Sequence, residues 1–295
     1  MTTYRFGTVP EVVERLEGAG YLADEAIATV VFLADRLGKP ILVEGPAGTG
    51  KTELAKSVST ILGSELIRLQ CYEGLDEAKA LYEWNYKKQL LRIQAEQGRE
   101  MSWEDVETNI FTEDFLLERP LLSAIRSDHP VTLLIDEIDK VDFEFEGLLL
   151  ELLSDFQVSI PEMGTVHAKR IPFVVLTSNN SRELSEALKR RCLYLFLDYP
   201  SIEREKAIVL ERVPEISEIL ADQIVRLVRS IRQLELKKAP SIAETLDWTR
   251  TLLHLGITEL DGGTAQATMS ALLKFQTDFE KVAAHLKIPP RPGEN

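Results

Sequence analysis

The sequence predicts an α/β domain with a parallel five-stranded sheet between two layers of helices, followed by a small all-helical domain. Up to Asp198, short apolar runs alternate with segments of helical periodicity, as in chains that build βα units. The run Val131–Asp136 is apolar on both faces, which is typical of a strand that a parallel sheet buries on both sides. After Pro200 the periodic segments are all helical. We therefore divide the chain into an α/β core at residues 1–199 and a helical lid domain at residues 200–295.

The individual elements follow from periodicity, apolar runs and turn residues. Strands are predicted at residues 41–43, 65–69, 131–136, 173–177 and 193–197. Helices of the core are predicted within residues 8–37 and at residues 51–62, 75–97, 120–128 and 143–153. Helices of the second domain are predicted at residues 201–212, 216–234, 241–255 and 264–286. We also expect an irregular acidic segment, a hairpin around the turn PEMG and a disordered tail, at residues 98–114, 156–170 and 289–295.

The composition is that of a globular protein with a strong negative charge. Of the 295 residues 44% are hydrophobic, and 34 basic against 48 acidic residues give a net charge of −14. This charge opposes a phosphate backbone, so nucleic acid is not an expected partner. No apolar run approaches the roughly 20 residues of a membrane span, and the N-terminal segment lacks the apolar core of a secretory signal. Cys71 and Cys192 match no metal or disulfide spacing, so we expect a cytoplasmic protein.

Residues 45–52, GPAGTGKT, match the phosphate-binding pattern GxxxxGK[ST] in full. Its glycines let backbone N–H groups curl around phosphate oxygens, and the predicted helix that follows directs its N-terminus at the anion. Lys51 is expected to reach the β- and γ-phosphates of ATP, and Thr52 to ligate Mg²⁺. The motif lies between a buried strand and a helix, so the core is predicted to be the three-layer αβα domain of a P-loop NTPase. The predicted nucleotide-binding residues are Gly45, Pro46, Ala47, Gly48, Thr49, Gly50, Lys51 and Thr52, together with Asp136.

Two carboxylates close the central apolar strand. Asp136 and Glu137 stand at its carboxyl end, where α/β sheets bind their ligands. Asp136 is predicted to hold the Mg²⁺ shell with Thr52, and Glu137 to act as general base on the attacking water. The next two acids, Asp139 and Asp142, are expected to be solvated or to cap a helix rather than to bind metal.

Polar residues elsewhere complete the predicted catalytic set. Asn179 follows another apolar strand and is expected to orient the attacking water or to contact the γ-phosphate, whereas Asn180 is explained by turn chemistry. Arg190 and Arg191 end a predicted helix, where arginines commonly interact with the helix dipole or with solvent. The alternative is an arginine finger inserted into the ATP site of a neighbouring subunit. Arg191 is the first choice for that role and Arg190 the second.

This order of motifs resembles the AAA+ superfamily, and longer runs are similar to its MoxR family. Residues 71–115 resemble the helix-2 insert of that family, and VSIPEMGTVHA resembles a pre-sensor-1 hairpin. Three runs are similar to the CoxD-type group: FTEDFLLERPLLSAIRS, FEFEGLLLELLSDFQVSIPE and PSIAETLDW. The likeness covers nearly the whole chain, roughly residues 10–285. Many AAA+ lids present a sensor-2 arginine, but residues 237–244 contain none. Lys237 and Lys238 are the cations there, and neither is assigned a role.

The resemblance implies a homo-oligomer, a hexameric ring, and a partner protein with a von Willebrand factor A (VWA) domain. MoxR proteins are associated with chaperone-like maturation of metalloenzymes. The CoxD-type group is linked to installing the active-site metal and sulfur of molybdenum hydroxylases such as carbon monoxide dehydrogenase. The expected function is therefore an ATPase, with ATP and Mg²⁺ as cofactors, that remodels a metalloenzyme client.

Two other functions stay open at this point. Pre-sensor hairpins and helix-2 inserts also occur in nucleic-acid motors. However, the hairpin tip PEMG carries an acid and no base, whereas a hairpin that grips a phosphate backbone should carry Lys or Arg. The basic residues at the hairpin base, His167, Lys169 and Arg170, are expected to be structural or adjacent to nucleotide. A scaffold that binds ATP without turning it over is disfavoured by the intact Glu137.

Overall fold

A computed structural model describes residues 4–96 and 110–286 of the protein. The chain divides into two compact units, an α/β unit of Met1–Gly45 with Lys51–Phe196 and a helical unit of Pro46–Gly50 with Leu197–Asn295. Residues 97–109 and 287–295 lie outside the described residues. Most of the predicted irregular acidic segment and all of the predicted disordered tail therefore fall outside them.

Nine strands are described in the α/β unit: β1 (Ile41–Glu44), β2 (Glu65–Gln70), β3 (Tyr82–Trp84), β4 (Leu116–Glu118), β5 (Val131–Asp136), β6 (Gln157–Ile160), β7 (Gly164–His167), β8 (Phe173–Ser178) and β9 (Leu193–Phe196). Five of them form one sheet in the order β2-β5-β8-β1-β9, with all neighbouring strands parallel. The predicted parallel five-stranded sheet is confirmed.

The helices described in this unit are α1 (Val9–Gly18), α2 (Glu25–Leu37), α3 (Lys51–Leu62), α4 (Glu77–Ala80), α5 (Tyr86–Glu96), α6 (Pro120–Arg126), α7 (Phe143–Asp155) and α8 (Glu186–Arg191). Local sequence explains several of their ends. Asp24 caps α2 by accepting a hydrogen bond from the backbone N–H of Ile27, and α2 ends at Gly38 in the left-handed region. Pro120 begins α6, where its missing N–H costs nothing.

The core of this unit lies on both faces of the central strands. Every residue of β5 and of β8 is buried, including the adjacent and fully buried Leu133 and Leu134, whose side chains point to opposite faces. Helices α3 and α6 both pack against β5. Burial of each leucine side chain stabilises the fold by about 1.5–3 kcal/mol. The central strands are therefore firmly held, and so are the residues that follow them at the carboxyl edge of the sheet.

The segment after β2 is only in part the helical stretch that the sequence predicts at residues 75–97. It contains the short helix α4, then β3, and only then α5. Strand β3 pairs in antiparallel fashion with β4, with Trp84 opposite Leu116, and the ring of Trp84 packs edge-on against Phe111 at 5.2 Å. The prediction was wrong here because the partner strand is distant in sequence, so no local periodicity reveals the pairing.

Strands β6 and β7 form an antiparallel hairpin with Gln157 opposite His167 and Ile160 opposite Gly164. Val158 and Ile160 on β6 are buried, whereas Glu162 at the tip is exposed. At its base, the backbone N–H of Lys169 donates to the carbonyl of Ile125, and its ammonium lies 3.0 Å from the carboxylate of Asp128. These contacts agree with the structural alternative that the sequence left open for Lys169.

The helices described in the second unit are α9 (Ile202–Arg212), α10 (Glu218–Arg232), α11 (Ile242–His254), α12 (Gly262–Thr268) and α13 (Gln276–His285). A single helix over residues 264–286 was predicted, and this is wrong because the chain breaks between α12 and α13. The fully buried carboxylate of Asp278, in the first turn of α13, accepts hydrogen bonds from the backbone N–H groups of Lys237 and Lys238 at 2.9 and 3.2 Å. This contact, which is remote in sequence, fixes the orientation of α13.

A buried ion pair also stabilises the helical unit. The guanidinium of Arg232 binds both carboxylate oxygens of Glu205, at 2.6 and 2.8 Å, and both side chains are almost fully buried. The hydroxyl of Thr245 donates to the same carboxylate, and Nε of Arg232 donates to the carbonyl of Pro240. The pair therefore connects α9, α10 and the start of α11.

Cys71 and Cys192 are free thiols, and both are buried. Burial raises the pKa of each thiol to about 12, and at Cys71 the nearby carboxylates of Asp136, Asp139 and Glu137 add to the effect. Neither cysteine takes part in a disulfide. Among residues 4–96 and 110–286, no helix has the length and apolar character that crossing a bilayer would require.

Candidate functional site

The carboxyl ends of β1, β5 and β8 meet at one edge of the sheet. The register pairs Glu44 of β1 with Ser178 of β8, and Ile135 of β5 with Leu176 of β8, so the residues that follow these strands lie side by side. This edge is where open α/β sheets bind ligands. Most of the side chains that the sequence predicts for the site leave the sheet here.

The loop that follows β1 has the backbone that a phosphate cradle requires. Gly45, Gly48 and Gly50 have φ of 151°, 74° and 95°, values that residues with a Cβ rarely adopt. Helix α3 begins directly after this loop, at Lys51. The loop therefore presents its backbone beside a helix N-terminus, which favours bound anions.

The Lys51 ammonium is buried and donates to the carbonyl of Gly45 at 2.8 Å. Burial lowers the pKa of this ammonium, and the carboxylates of Asp139, Asp136 and Glu137 partly offset the shift. The loop thus has a buried cation beside it, which favours a bound anion.

Asp136 at the end of β5 is held by hydrogen bonds from several directions. The Thr52 hydroxyl, in the first turn of α3, donates to it at 3.1 Å, and the Thr177 hydroxyl at the end of β8 donates at 2.5 Å. The guanidinium of Arg68 on β2 contacts the other carboxylate oxygen. The structure thus brings together Thr52 and Asp136, the two predicted metal-binding residues. A hydroxyl and a carboxylate are oxygen ligands that suit Mg²⁺, which usually keeps several waters and substrate phosphates as its other ligands.

Glu137 differs from Asp136 although the two are adjacent. Its backbone is left-handed, with φ of 57° and ψ of 49°, a conformation that costs a non-glycine residue about 1–2 kcal/mol. The Thr177 hydroxyl accepts a hydrogen bond from its backbone N–H at 2.9 Å. In the described part of the chain, no group hydrogen-bonds the carboxylate of Glu137. The carboxylate is therefore available to a water molecule or a substrate.

Asp139 corrects one expectation from the sequence. It is not solvated, since only 3% of the residue is exposed, and it does not cap a helix. Its carboxylate accepts hydrogen bonds from the backbone N–H groups of Asn179 and Ser181, at 3.2 and 3.0 Å, and from the Ser181 hydroxyl. Burial alone would raise the pKa of Asp139, but these hydrogen bonds outweigh burial and hold the pKa below its usual value. Asp142 does cap a helix as predicted, by accepting from the backbone N–H of Phe145.

Asn179 follows β8 directly, and Asp139 fixes its backbone. Its side chain is partly exposed at the same sheet edge as Glu137. Asn180 has a left-handed backbone with φ of 57°, and its N–H donates to the hydroxyl of Ser178. This geometry matches the turn role expected for Asn180.

A second buried carboxylate holds the far end of the loop after β8. Glu146 on α7 accepts from the backbone N–H of Ser185 at 2.9 Å and lies 2.6 Å from the guanidinium of Arg182. That guanidinium also donates to the carbonyl of Val141 and stacks on the ring of Phe143. The loop between Asn179 and α8 is therefore anchored at both ends.

Arg190 and Arg191 both lie in the last turn of α8, in different surroundings. The side chain of Arg190 is 79% exposed and pairs with Glu186 one turn earlier at 2.8 Å. Arg191 donates to the carbonyl of Ala187 and to the hydroxyl of Ser154. Arg190 is thus the more accessible of the two, and the choice between them as an arginine finger stays a prediction.

Lys237 and Lys238 precede α11 in the helical unit. The ammonium of Lys238 pairs with Glu244 at 2.7 Å, and that of Lys237 lies 5.6 Å from the centre of the Phe275 ring. Their backbone N–H groups bind Asp278, as described above. The contacts explain both residues as parts of the helical unit, and we assign neither a role in nucleotide sensing.

Sequence reasoning missed three residues of the site: Arg68, Asp139 and Thr177. Thr177 was read only as part of a strand, although it lies directly before the polar residues that end the run. Asp139 carried a usable signal, since an acid two residues after Glu137 returns to the same edge if the chain turns sharply. Arg68 carried no local signal because its role depends on the pairing of β2 with β5.

A comparison with protein families gives the chain its classification. The AAA domain model of the dynein-related subfamily matches residues 40–192, which is more than half of the chain. This protein belongs to that AAA family. The match extends from just before β1 to just after α8 and so includes the whole site described above. The AAA+ assignment is confirmed, whereas the MoxR and CoxD-type subdivision stays a prediction.

Individual relatives agree with this classification but are distant. The uncharacterized protein SH1500 of Staphylococcus haemolyticus is 25% identical over 240 residues, which cover 79% of this chain and 82% of the relative. The uncharacterized protein SAB1265c of Staphylococcus aureus is 27% identical over 227 residues, which cover 74% and 77%. Among solved structures, a point mutant of Thermotoga maritima RuvB matches with a TM-score of 0.51 and 18% identity, covering 97% of this chain and 86% of that one. At 18% identity, this likeness shows a shared fold and nothing about function.

Proposed function

We propose that this AAA protein binds ATP with Mg²⁺ and hydrolyses it to ADP and phosphate. The observation that carries the proposal is the contrast at the end of β5. Asp136 accepts a hydrogen bond from Thr52 in the helix after the P-loop at 3.1 Å. The carboxylate of the adjacent Glu137 accepts no hydrogen bond from any group among residues 4–96 and 110–286. One acid is arranged to help bind a cation and the next to receive a proton.

The roles of the remaining residues follow from that arrangement. Residues 45–50 bind the phosphates through their backbone, and Lys51 contacts the β- and γ-phosphates. Thr52 and Asp136 hold Mg²⁺, which when bound neutralises charge on the phosphate oxygens. Glu137 removes a proton from the attacking water, and Asn179 orients that water. The hydrogen bonds of Asp139 to the loop support the position of Asn179.

We further propose that the ATP site is completed by a second copy of the chain in a hexameric ring. An arginine supplied by a neighbouring subunit stabilises the charge that develops during phosphoryl transfer. Arg191 is the first candidate, and Arg190 the second. The exposed position of Arg190 at the end of α8 is compatible with such a contact.

The work that hydrolysis drives is, in this proposal, remodelling of a metalloenzyme client together with a VWA-domain partner in the cytoplasm. The support is the resemblance of several long runs to CoxD-type MoxR proteins. The helix-2 insert at residues 71–115, which contains β3, and the hairpin of β6 and β7 are the elements that would contact a client or partner. Strands β3 and β4 and strands β6 and β7 form two-stranded sheets separate from the five-stranded sheet.

A nucleic-acid motor is the second candidate, and the charge distribution disfavours it. The hairpin tip exposes Glu162, and the chain as a whole carries a net charge of −14. A phosphate backbone would be repelled by both features.

The test combines light scattering, phosphate release and ATP-binding titrations on the wild type, Lys51→Ala, Arg191→Ala and Arg190→Ala. We expect an ATP-dependent hexamer that turns over ATP. Lys51→Ala should lose ATP binding because the phosphates lose their buried cation. Replacing the true arginine finger should lower turnover by about a thousandfold or more while ATP binding persists.

Three results would contradict the proposal. Tight ATP binding by Lys51→Ala would remove the P-loop assignment. A wild type that is monomeric with and without ATP, and that releases no phosphate, would favour a scaffold that needs its partner to assemble. Single-stranded DNA binding at physiological salt would favour the motor.

A further inference from the structure

Arg68 is a charged residue of the site that the proposed mechanism does not use. It lies on β2, the edge strand of the sheet, which pairs with β5 so that Gln70 is opposite Asp136. Its Nη2 atom lies 2.5 Å from Oδ2 of Asp136 and also donates to the side-chain carbonyl of Gln70. The guanidinium therefore reaches along β2 to the carboxylate that is proposed to hold Mg²⁺.

The two partners differ sharply in exposure. The side chain of Asp136 is 4% exposed and that of Arg68 is 48% exposed. Burying a carboxylate without a neighbouring cation costs free energy, whereas a half-exposed guanidinium can return to water at little cost in free energy. The hydroxyls of Thr52 and Thr177 give Asp136 hydrogen bonds but no charge. The buried ammonium of Lys51 also interacts with Asp136. Arg68 is the half-exposed cation in direct contact with the carboxylate, and its positive charge can leave.

We propose that Arg68 neutralises Asp136 in the metal-free site and is displaced when Mg²⁺ binds, so that it sets the Mg²⁺ concentration at which nucleotide is held. The inference rests on the proposed function, since it needs Asp136 to act as a metal-binding residue. Mg²⁺ and the guanidinium are both positively charged and would both lie beside the carboxylate of Asp136, so each weakens the binding of the other. The arginine thereby raises the Mg²⁺ requirement while keeping the empty site stable.

The experiment measures binding of a fluorescent ADP analogue to the full chain as Mg²⁺ is varied, because ADP binds without turnover. The variants are Arg68→Gln and Arg68→Met, of which the second keeps much of the apolar stem. Arg226→Gln is the matched control, because Arg226 is also an exposed arginine paired with a carboxylate, Asp222, but lies on α10 in the helical unit.

The Mg²⁺ midpoint should fall about threefold to tenfold in both Arg68 variants, as expected for loss of a charge-assisted pair with one half-exposed partner. It should be unchanged in Arg226→Gln. A second readout uses Mg²⁺ alone. Without nucleotide, the melting temperature of Arg68→Gln should be lower than that of the wild type in EDTA, and Mg²⁺ should raise it more than it raises the wild type.

The outcomes separate this inference from the proposed function. A wild type whose ADP binding depends on Mg²⁺, with the same or a higher midpoint in both Arg68 variants, overturns the role of Arg68 and leaves the proposed site intact. A wild type whose ADP binding is indifferent to Mg²⁺ overturns this inference and the assignment of Thr52 and Asp136 to Mg²⁺, whereas ATP hydrolysis is tested separately by phosphate release. If Arg68→Gln does not fold, Arg68→Met gives the same comparison.

Discussion

Buried carboxylates occur in both units of this AAA protein, but they are used in different ways. In the helical unit, Glu205 binds Arg232 and Asp278 binds two backbone N–H groups, and each joins segments that are far apart in sequence. In the α/β unit, the carboxylates of Asp136 and Asp139 each accept several hydrogen bonds. Glu137 lies between them with a strained backbone, and its carboxylate accepts no hydrogen bond within the described residues. The difference supports the proposed role of Glu137 as the general base.

The largest expected effect is on Glu137 itself. Glu137→Gln removes the proton acceptor but keeps the shape of the side chain, so ATP turnover should fall by about a hundredfold to ten-thousandfold. The free energy of unfolding should hardly change, because no hydrogen bond of the carboxylate is lost. Phosphate release and urea denaturation on the same preparation measure both quantities. Unchanged turnover would remove Glu137 as the base.

The second prediction concerns the ion pair of the helical unit. Glu205→Gln leaves the buried guanidinium of Arg232 without a counter-charge and should lower the free energy of unfolding by about 3–5 kcal/mol. Urea denaturation checks this value. The matched control is Glu218→Gln, since Glu218 is exposed and pairs with Lys206, and it should cost less than about 1 kcal/mol. Equal costs for the two variants would mean that burial does not distinguish them.

The smallest effects distinguish the two acids that follow Glu137. Asp139→Asn cannot accept all of its hydrogen bonds from Asn179 and Ser181, so we expect a loss of about 1–3 kcal/mol in stability and lower turnover. Asp142→Ala removes only a helix cap, costs about 1 kcal/mol and should leave turnover unchanged. If both variants hydrolyse ATP at the wild-type rate, the position of Asn179 does not depend on Asp139.

The lowered pKa of Asp139 also predicts that its contribution to stability depends on pH. The pKa of Asp139 is lowered in the folded protein, so its contribution to stability is present above the unfolded pKa of about 3.9 and is lost as pH falls through the lower folded value. Below about pH 4, the stability difference between the wild type and Asp139→Asn should therefore shrink. Acid titrations followed by circular dichroism measure this difference.

The sequence predicted the parts of this molecule that depend on neighbouring residues. The P-loop and the polar ends of β5 and β8 are contiguous motifs, and the strands that carry them are continuous apolar runs. Asp142 was also predicted as a helix cap, because a cap bonds a residue three positions away.

The parts that the sequence did not reveal depend on contacts between distant segments. Strand β3 exists because Trp84 pairs opposite Leu116, and the break before α13 is set by Asp278, which binds the backbone beside α11. Asp139 was expected in solvent because its donors, Asn179 and Ser181, belong to another strand end. Local periodicity contains none of these contacts.

The two buried cysteines have a practical consequence for spectroscopy. Burial raises the pKa of both thiols far above its ordinary value, so they stay protonated at neutral pH, and maleimide dyes react through the thiolate. A cysteine introduced on the exposed surface, for example at Glu162 on the hairpin tip, should therefore take the dye ahead of both native thiols. The wild-type chain can thus serve as the unlabelled background for fluorescence measurements of movement during the ATP cycle.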